Sequence, residues 1–420
     1  MLGLVTTVAV DSASPRELDV LSSFLLYHLS VGFKRICVFL DTPGTTSEEV
    51  LSRLHSALKQ HRQAIDIVEK SSSYAIYPTC SLYAALQPSI SDEVHARQQL
   101  NCELAMTSCL TWNEIARTDA SRTPLEWLVH LDLDELLYYP SNHDDDRNDG
   151  LHMFFASASP SIHQFTFVNH EAIPTTANVS NYFVEVSHFK VNHLVAPFTS
   201  AAQACMNRWR DRTTHRQYML AYDNGKSAVR IRRGVLPSSV HSWQPHPSLA
   251  TVTNFPDPRR MNMATTISHT TSPWILHYPS CGYDWFKEKY RTLGRFPDAW
   301  FQGKLPIQPC FHTTARDVWA TCVETHDEKA MRTLYHEQVM LDDPDGLEAQ
   351  IDAGVVVHLL GPSKRLQRLL GLQPQDVQSQ PPPLRPSTYR PSIPPPAGIS
   401  EVGYNSEKAW MLASIAAKYL

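Results

Sequence analysis

An α/β fold, a mostly parallel sheet flanked by helices, is what this sequence predicts, and three observations predict it. Short apolar runs rich in β-formers recur at 4–10, 35–40, 64–68 and 128–131. Segments with apolar residues at helical spacing separate them, so strand and helix alternate. Three carboxylates, Asp132, Asp134 and Glu135, then follow the run at 128–131 directly. That places them at the carboxyl end of a buried strand, the edge where open α/β sheets bind ligands.

Taken in order, the strand at 4–10 leads into a helix at 18–29, which Ser14-Pro15-Arg16-Glu17 starts, with Ser14 as cap, and Gly32 ends. Arg35-Ile36-Cys37-Val38-Phe39-Leu40 is a second buried strand, closed by the turn signal Asp41-Thr42-Pro43-Gly44. A helix at 47–61 has Ser47 to cap it, Glu48 and Glu49 in its first turn, and Val50, Leu51, Leu54 and Leu58 along one face. A third strand at 64–68 completes a β-α-β-α-β order, which implies parallel strands and right-handed crossovers. A long helix at 94–116 precedes the central strand at 128–131.

Beyond the acidic cluster, 141–150 reads as a polar, solvated loop despite the run Asp144, Asp145, Asp146. Strands are expected at 162–168, 182–190, 226–230 and 275–278, the third of them after the turn Asp223-Asn224-Gly225. An amphipathic helix is expected at 284–293. Residues 331–370 read as helical with a break at 342–346. The segment 373–396 holds three-proline runs at 381–383 and 394–396 and is expected to be extended, and 407–420 reads as a short amphipathic helix. The resulting division is a principal domain at 1–330, a C-terminal helical extension at 331–372, a Pro-rich linker at 373–400 and a C-terminal helix at 401–420.

The 420 residues suffice for one large α/β domain or two ordinary ones. A net charge of -5 argues against a nucleic-acid binder, which needs a basic face. No run reaches the roughly 18–20 apolar residues of a membrane span, and no secretory leader is expected, because Met1 is followed at once by strand-like sequence. The eight cysteines form no Cys-x-x-Cys pair, so a zinc site is not expected.

Asp132, Asp134 and Glu135 cannot all stand ionised and unpaired so close together, because like charges raise each other's pKa. A divalent cation resolves the conflict, and oxygen ligands suit magnesium, manganese or calcium. Such ions take one or two protein carboxylates and leave positions for phosphate oxygens and water, so a metal–diphosphate site is expected here. The bland alternative is a solvated strand end. Asp41, on the same sheet edge, is placed to accept from the ribose or base of a nucleotide, or else to cap its own turn as an Asx acceptor.

Taken as an ordered set, Leu26-Tyr27-His28, Gly32-Phe33, Asp41, Cys109-Leu110, Trp127…Asp132-x-Asp134-Glu135, Lys226-Ser-x-Val-Arg230, His241, and His277-Tyr278 with Lys289 resemble the GT-A-fold glycosyltransferases of family 92 and the related family 2-like group. The resemblance spans about 4–293. It implies a GT-A-like, Rossmann-related sheet, with Asp132 and Asp134 as the metal and sugar-nucleotide carboxylates and Asp41 facing the nucleoside. Lys226 and Arg230 would belong to the donor or acceptor pocket, and His241 or His277 would be a third metal ligand or a diphosphate contact. It also implies Mn2+ (or Mg2+), a UDP-sugar such as UDP-galactose as donor, a glycan or other hydroxyl acceptor, inversion, and a place in the Golgi or secretory pathway, against which a soluble cytoplasmic form stands as the other expectation. The sequence departs from the pattern after the first strand, where Asp11 is followed by Ser12-Ala13-Ser14, and at Leu136, where the family carries Phe.

Sugar transfer from such a donor needs charge stabilisation of the leaving diphosphate, a base for the acceptor hydroxyl and in-line positioning. Asp134 is the expected direct metal ligand, with Asp132 one pleat away on the same side and Glu135 turned to backbone or sugar hydroxyls. Glu171, Asp223 and Asp284 are the candidates for the base. Trp243, Trp274, Trp285 and Trp300 offer rings for an acceptor sugar or simply fill the core. The competing reading is a non-catalytic carbohydrate or nucleotide-sugar binding module on the same fold. A two-metal hydrolase would need a second close-spaced cluster, which the sequence lacks.

Overall fold

In a computed structural model, residues 1–9, 15–42, 48–140, 150–256 and 264–372 are described. Ser14 and Ser47 as caps, the turn residues Pro43 and Gly44, the acidic run at 144–146, the Pro-rich segment and the helix at 407–420 lie outside them.

Fifteen strands are seen among these residues: β1 (Leu2–Val8), β2 (Phe33–Leu40), β3 (Ile65–Val68), β4 (Trp127–His130), β5 (Glu135–Tyr138), β6 (Ile162–Phe167), β7 (Asn169–Ala172), β8 (His188–Lys190), β9 (Lys226–Arg230), β10 (Ala250–Thr253), β11 (Ala264–Thr266), β12 (Trp274–His277), β13 (Ala299–Trp300), β14 (Leu305–Pro306) and β15 (Val356–His358). Eight form a large sheet in the order β11-β10-β6-β9-β4-β1-β2-β3. It is mostly parallel: only β9 runs against its neighbours, β4 and β6. The chain winds outward from β1 through β2 to β3, then returns to place β4 on the other side of β1. The crevice at the carboxyl ends of β1 and β4 is therefore a topological switch point, where ligands bind in folds of this class.

Apolar burial explains why these runs are strands. β1 is buried along its whole length, and β4 is buried at every residue. Helix Pro15–Ser30 packs Val20, Leu21, Phe24 and Leu25 into the same core as Leu4, Val38 and Val129. The helix ends at Gly32, whose φ of 109° suits a residue without a side chain.

A second, five-stranded sheet has the order β15-β8-β7-β12-β5. Two expectations change here. Residues 182–190 are not one strand: Asn181 caps a short helix, Tyr182–Glu185, and only His188–Lys190 is extended. Residues 331–370 are not helical throughout, because β15 pairs with β8 and completes this sheet. The helix that follows, Gly361–Leu369, buries Leu366 in the main core, so this stretch is built into the fold.

The acidic cluster lies where the chain passes from one sheet to the other. β4 ends at His130 in the large sheet, and β5 begins at Glu135 in the small one. The crossover is fixed by its backbone: Leu131 N–H donates to Val5, Tyr278 N–H donates to Asp134, and Glu135 N–H donates to Asp132.

Candidate functional site

The first turns of the long helix Val94–Ala116 lie across the carboxyl ends of the large sheet. Arg97 holds Asp41 at the end of β2, with Nε and Nη2 donating to its two oxygens at 2.7 and 2.6 Å. Gln98 Nε2 donates to Asp132 Oδ1 at 2.7 Å, and Asn101 Nδ2 donates to the Thr7 hydroxyl at 2.9 Å. Arg97, Gln98 and Asn101 are all buried. Polar residues one, three and four apart on a buried helix face were the available signal for this contact, because that face should otherwise be apolar.

Asp132 meets a second partner, Lys226, whose ammonium is completely buried and donates to Oδ2 at 2.7 Å. Burial alone would raise the Asp132 pKa; Lys226, followed by His130, outweighs it and holds the carboxyl well below its usual range. The turn before Lys226 requires Gly225, whose φ is 70° and whose added Cβ would collide with the Phe167 carbonyl.

Glu135 is also fully buried and shares Lys226 at 3.6 Å. It accepts the Asp132 N–H at 2.9 Å and the Tyr222 hydroxyl. Burial pushes its pKa up to about 7, Lys226 opposing and Asp132 adding to the rise. Tyr222 was not singled out in the sequence, yet its ring stands between His241 and His277, at 4.5 and 4.7 Å.

Asp134 faces the other way, toward groups of the small sheet and the helix Tyr283–Leu293. Its Oδ2 lies 3.4 Å from Lys289 Nζ and 3.6 Å from His277 Nε2. Burial would raise its pKa, but Lys289 and His277 together keep it below the usual carboxylate range. Asp132 and Asp134 are thus not successive members of one strand face, as their spacing suggests. The strand ends before them, and each has its own lysine.

His241 donates from Nδ1 to the Gly225 carbonyl at 2.9 Å, and His130 donates from Nδ1 to the Val240 carbonyl at 2.9 Å. This fixes the tautomer and leaves each Nε2 as a lone pair. Burial lowers the pKa of both, His130 to about 4. His130 Nε2 and His277 Nδ1 are buried and have no hydrogen-bond partner.

The expected cation can be weighed against these donors. Among the described residues no three His, Cys, Asp or Glu side chains gather as a cage. Magnesium-type ions do not need one, since they accept one or two protein donors and take the rest from phosphate and water. Asp134 with His277 meets that count, whereas Asp132 is already matched to Lys226 and Gln98.

Three residues are not brought to this cluster. Arg230 is four residues along β9 from Lys226, at the opposite end of the strand. Even spacing put both on one face, but four residues at about 3.3 Å each carry Arg230 well away from the site. There its guanidinium lies 4.4 Å from the Trp127 ring centroid and donates to the Ile162, Ala158 and Ser159 carbonyls. Glu171 is buried against Lys190 and accepts from Leu220 and Ala221 N–H, so its oxygens are already occupied. Asp284 is exposed and paired with Arg16. Asp223 is different. It follows Tyr222, is partly exposed, and has His193 Nε2 3.7 Å away.

No family model matches the chain. It is 22% identical over 366 residues to a glycosyltransferase-like protein of Arabidopsis thaliana, At2g41451, covering 86% of this chain and 72% of that protein. A second Arabidopsis glycosyltransferase-like protein, At3g57200, is 21% identical over 368 residues, with 86% of this chain and 63% of that protein covered. Among solved structures, apo mouse xyloside xylosyltransferase 1 aligns over 40% of this chain and 52% of its own at 10% identity and a TM-score of 0.21. Residues 1–349 of S. aureus TarS align over 88% and 82%, at 8% identity and a TM-score of 0.28. Among the described residues no helix is long and apolar enough to cross a membrane.

Proposed function

We propose that this chain transfers a sugar from a nucleotide-diphosphate donor, a UDP-sugar such as UDP-galactose, to a hydroxyl of a glycan or other acceptor, with inversion. The two plant relatives support glycosyl transfer as the class of activity. The observation that carries the reading is the sheet junction, where Asp132, Asp134, Lys226, Lys289 and three histidines meet at the switch point of the large sheet.

A balance of charge supports a cation as well. Lys226 and Lys289 neutralise Asp132 and Asp134 but leave no surplus positive charge for a diphosphate. Mn2+ or Mg2+ held by Asp134 and His277 would supply it, acting as a Lewis acid toward the leaving group. In the reaction proposed, the acceptor oxygen attacks the anomeric carbon from the face opposite the diphosphate while its proton passes to Asp223. The bond between anomeric carbon and phosphate oxygen breaks, and its electron pair leaves with the diphosphate. Lys289, the more exposed of the two ammonium groups, would donate to that developing charge. Gln98 and Lys226 hold Asp132 still, which fixes where the donor binds.

A thermal-shift screen of nucleotide sugars with and without manganese tests the reading. A donor that binds the native state raises the melting temperature by mass action. A shift with a UDP-sugar, larger with manganese, is expected; no shift with any nucleotide sugar in either condition would contradict it.

A further inference from the structure

A line of rings runs from one aspartate to the other. Its first member is His95, one turn before Gln98 on the long helix and close enough to Asp132 and Lys226 for both to act on its charge. Trp300 meets the His95 ring edge-on at 4.9 Å, and Phe296 stacks beside Trp300 at 5.5 Å. Phe296 stacks in turn on His312 at 4.6 Å, and His312 Nδ1 lies 3.0 Å from the Tyr290 hydroxyl. Tyr290 is on the same helix as Lys289, which reaches Asp134.

Trp300 is the member of this line with the form of a ligand platform. The buried tryptophans of the core, Trp127, Trp209 and Trp243, are at most 3% exposed, whereas Trp300 keeps part of its surface open although His95 and Phe296 both pack against it. It sits on the two-residue strand β13, paired with β14, and the tip between them is strained. Phe301 and Gln302 both have positive φ, 50° and 56°, a conformation that is strained for residues with a side chain. The strain is held by Glu93, just before the long helix. Its carboxylate accepts the Phe301 N–H at 2.7 Å and the Gln302 N–H at 3.3 Å. Gln302 Nε2 adds a bond to the Pro88 carbonyl at 2.9 Å. A tip strained and tied in this way fixes the ring ahead of it against His95, beside the carboxylate cluster.

We propose that Trp300 is the platform on which a hexopyranose ring stacks, with His95 at its edge to meet a hydroxyl. The apolar face of indole matches the C–H face of a pyranose, and the imidazole supplies the polar contact that a purely apolar wall lacks. This rests on the transferase reading and adds where the sugar lies.

Saturation-transfer NMR on the full chain tests it, with UDP, UDP-galactose, UDP-glucose and cellotriose as probes and Trp300→Ala, Trp300→Phe and Glu93→Gln as variants. Trp300→Ala should weaken hexose binding about tenfold and leave UDP unchanged, while Trp300→Phe should stay within about threefold of wild type. Glu93→Gln should give an intermediate loss. A loss confined to the UDP-hexoses places the donor sugar on Trp300; a loss confined to cellotriose places the acceptor there. Hexose signals equal in wild type and Trp300→Ala, with melting temperatures unchanged, would overturn the platform and leave the transferase reading intact. No binding of any probe to the unaltered chain would overturn both.

Discussion

Glu135 and Glu171 lie on either side of His277 in one row of the small sheet, each paired with it. Both are buried, and each has a buried lysine, Lys226 for Glu135 and Lys190 for Glu171. The difference lies in how completely each is matched. Glu171 has Lys190 to itself and two backbone N–H donors. Glu135 must share Lys226 with Asp132, and burial raises its pKa to about 7. Glu171 and Lys190 tie β7 to β8. Glu135 lies at the sheet junction, where one ammonium serves two carboxylates. A carboxylate perturbed by desolvation and by a specific charge partner is a functional-site candidate.

The comparison can be broken first through its lysines. Lys190→Met and Lys226→Met each strand a buried carboxylate and should each cost about 3–5 kcal/mol in urea unfolding. Only Lys226→Met should also abolish nucleotide-sugar binding. A neutral Lys190→Met would remove the structural role given to Glu171.

Asp134 separates function from stability. Asp134 and its lysine partner Lys289 are both partly exposed, so Asp134→Asn should change unfolding free energy by about 1 kcal/mol or less while lowering transfer by about 10²–10³. Activity assays beside denaturant curves check the pair of effects, and equal losses in both would contradict the assignment.

The pH dependence sharpens the contrast. Because Glu135 has a folded pKa of about 7 against an ordinary value of 4.5, the folded state binds its proton more tightly between those values. Its contribution to stability therefore falls as pH rises from 4.5 to 7. Buried His28, His130, His170 and His188 have lowered pKa values and act in the opposite sense as they lose protons. The difference between wild type and Glu135→Gln isolates the glutamate. Relative to wild type, Glu135→Gln should gain stability between pH 5 and pH 7, about the range given by these pKa values. A flat difference in urea midpoints would show that Glu135 stays ionised.

The smallest functional effect is expected at Arg230. Its bonds to three carbonyls predict a loss of about 1–2 kcal/mol for Arg230→Ala, with donor affinity unchanged by calorimetry. A loss of affinity would return Arg230 to the pocket.

Much of the large sheet was legible because β1, β2 and β4 are short, largely apolar runs. The run at 128–131 and the helix at 94–116 needed no long-range knowledge. Of the small sheet the strand at 275–278 was legible and most of the rest was not, since its strands are three or four residues long and rich in polar groups such as His188, Lys190, Asn169 and Glu171. Those groups are buried through pairs distant in sequence, which no periodicity records. The same limit applied at the site. Asp132, Asp134, Lys226, His241 and His277 could be picked out as chemistry-bearing residues. That the strand stops at His130 and hands Asp134 to the other sheet, and that Arg230 lies at the far end of β9, depends on where the strands end, which spacing alone left undecided.

The most direct test is calorimetric titration of UDP-galactose with manganese into wild-type protein and Asp134→Asn. Binding to wild type and its loss in a variant that unfolds at the same temperature is the result predicted here. Equal affinity in the two proteins, or none in wild type, would contradict the claim that the junction of the two sheets holds the donor's diphosphate.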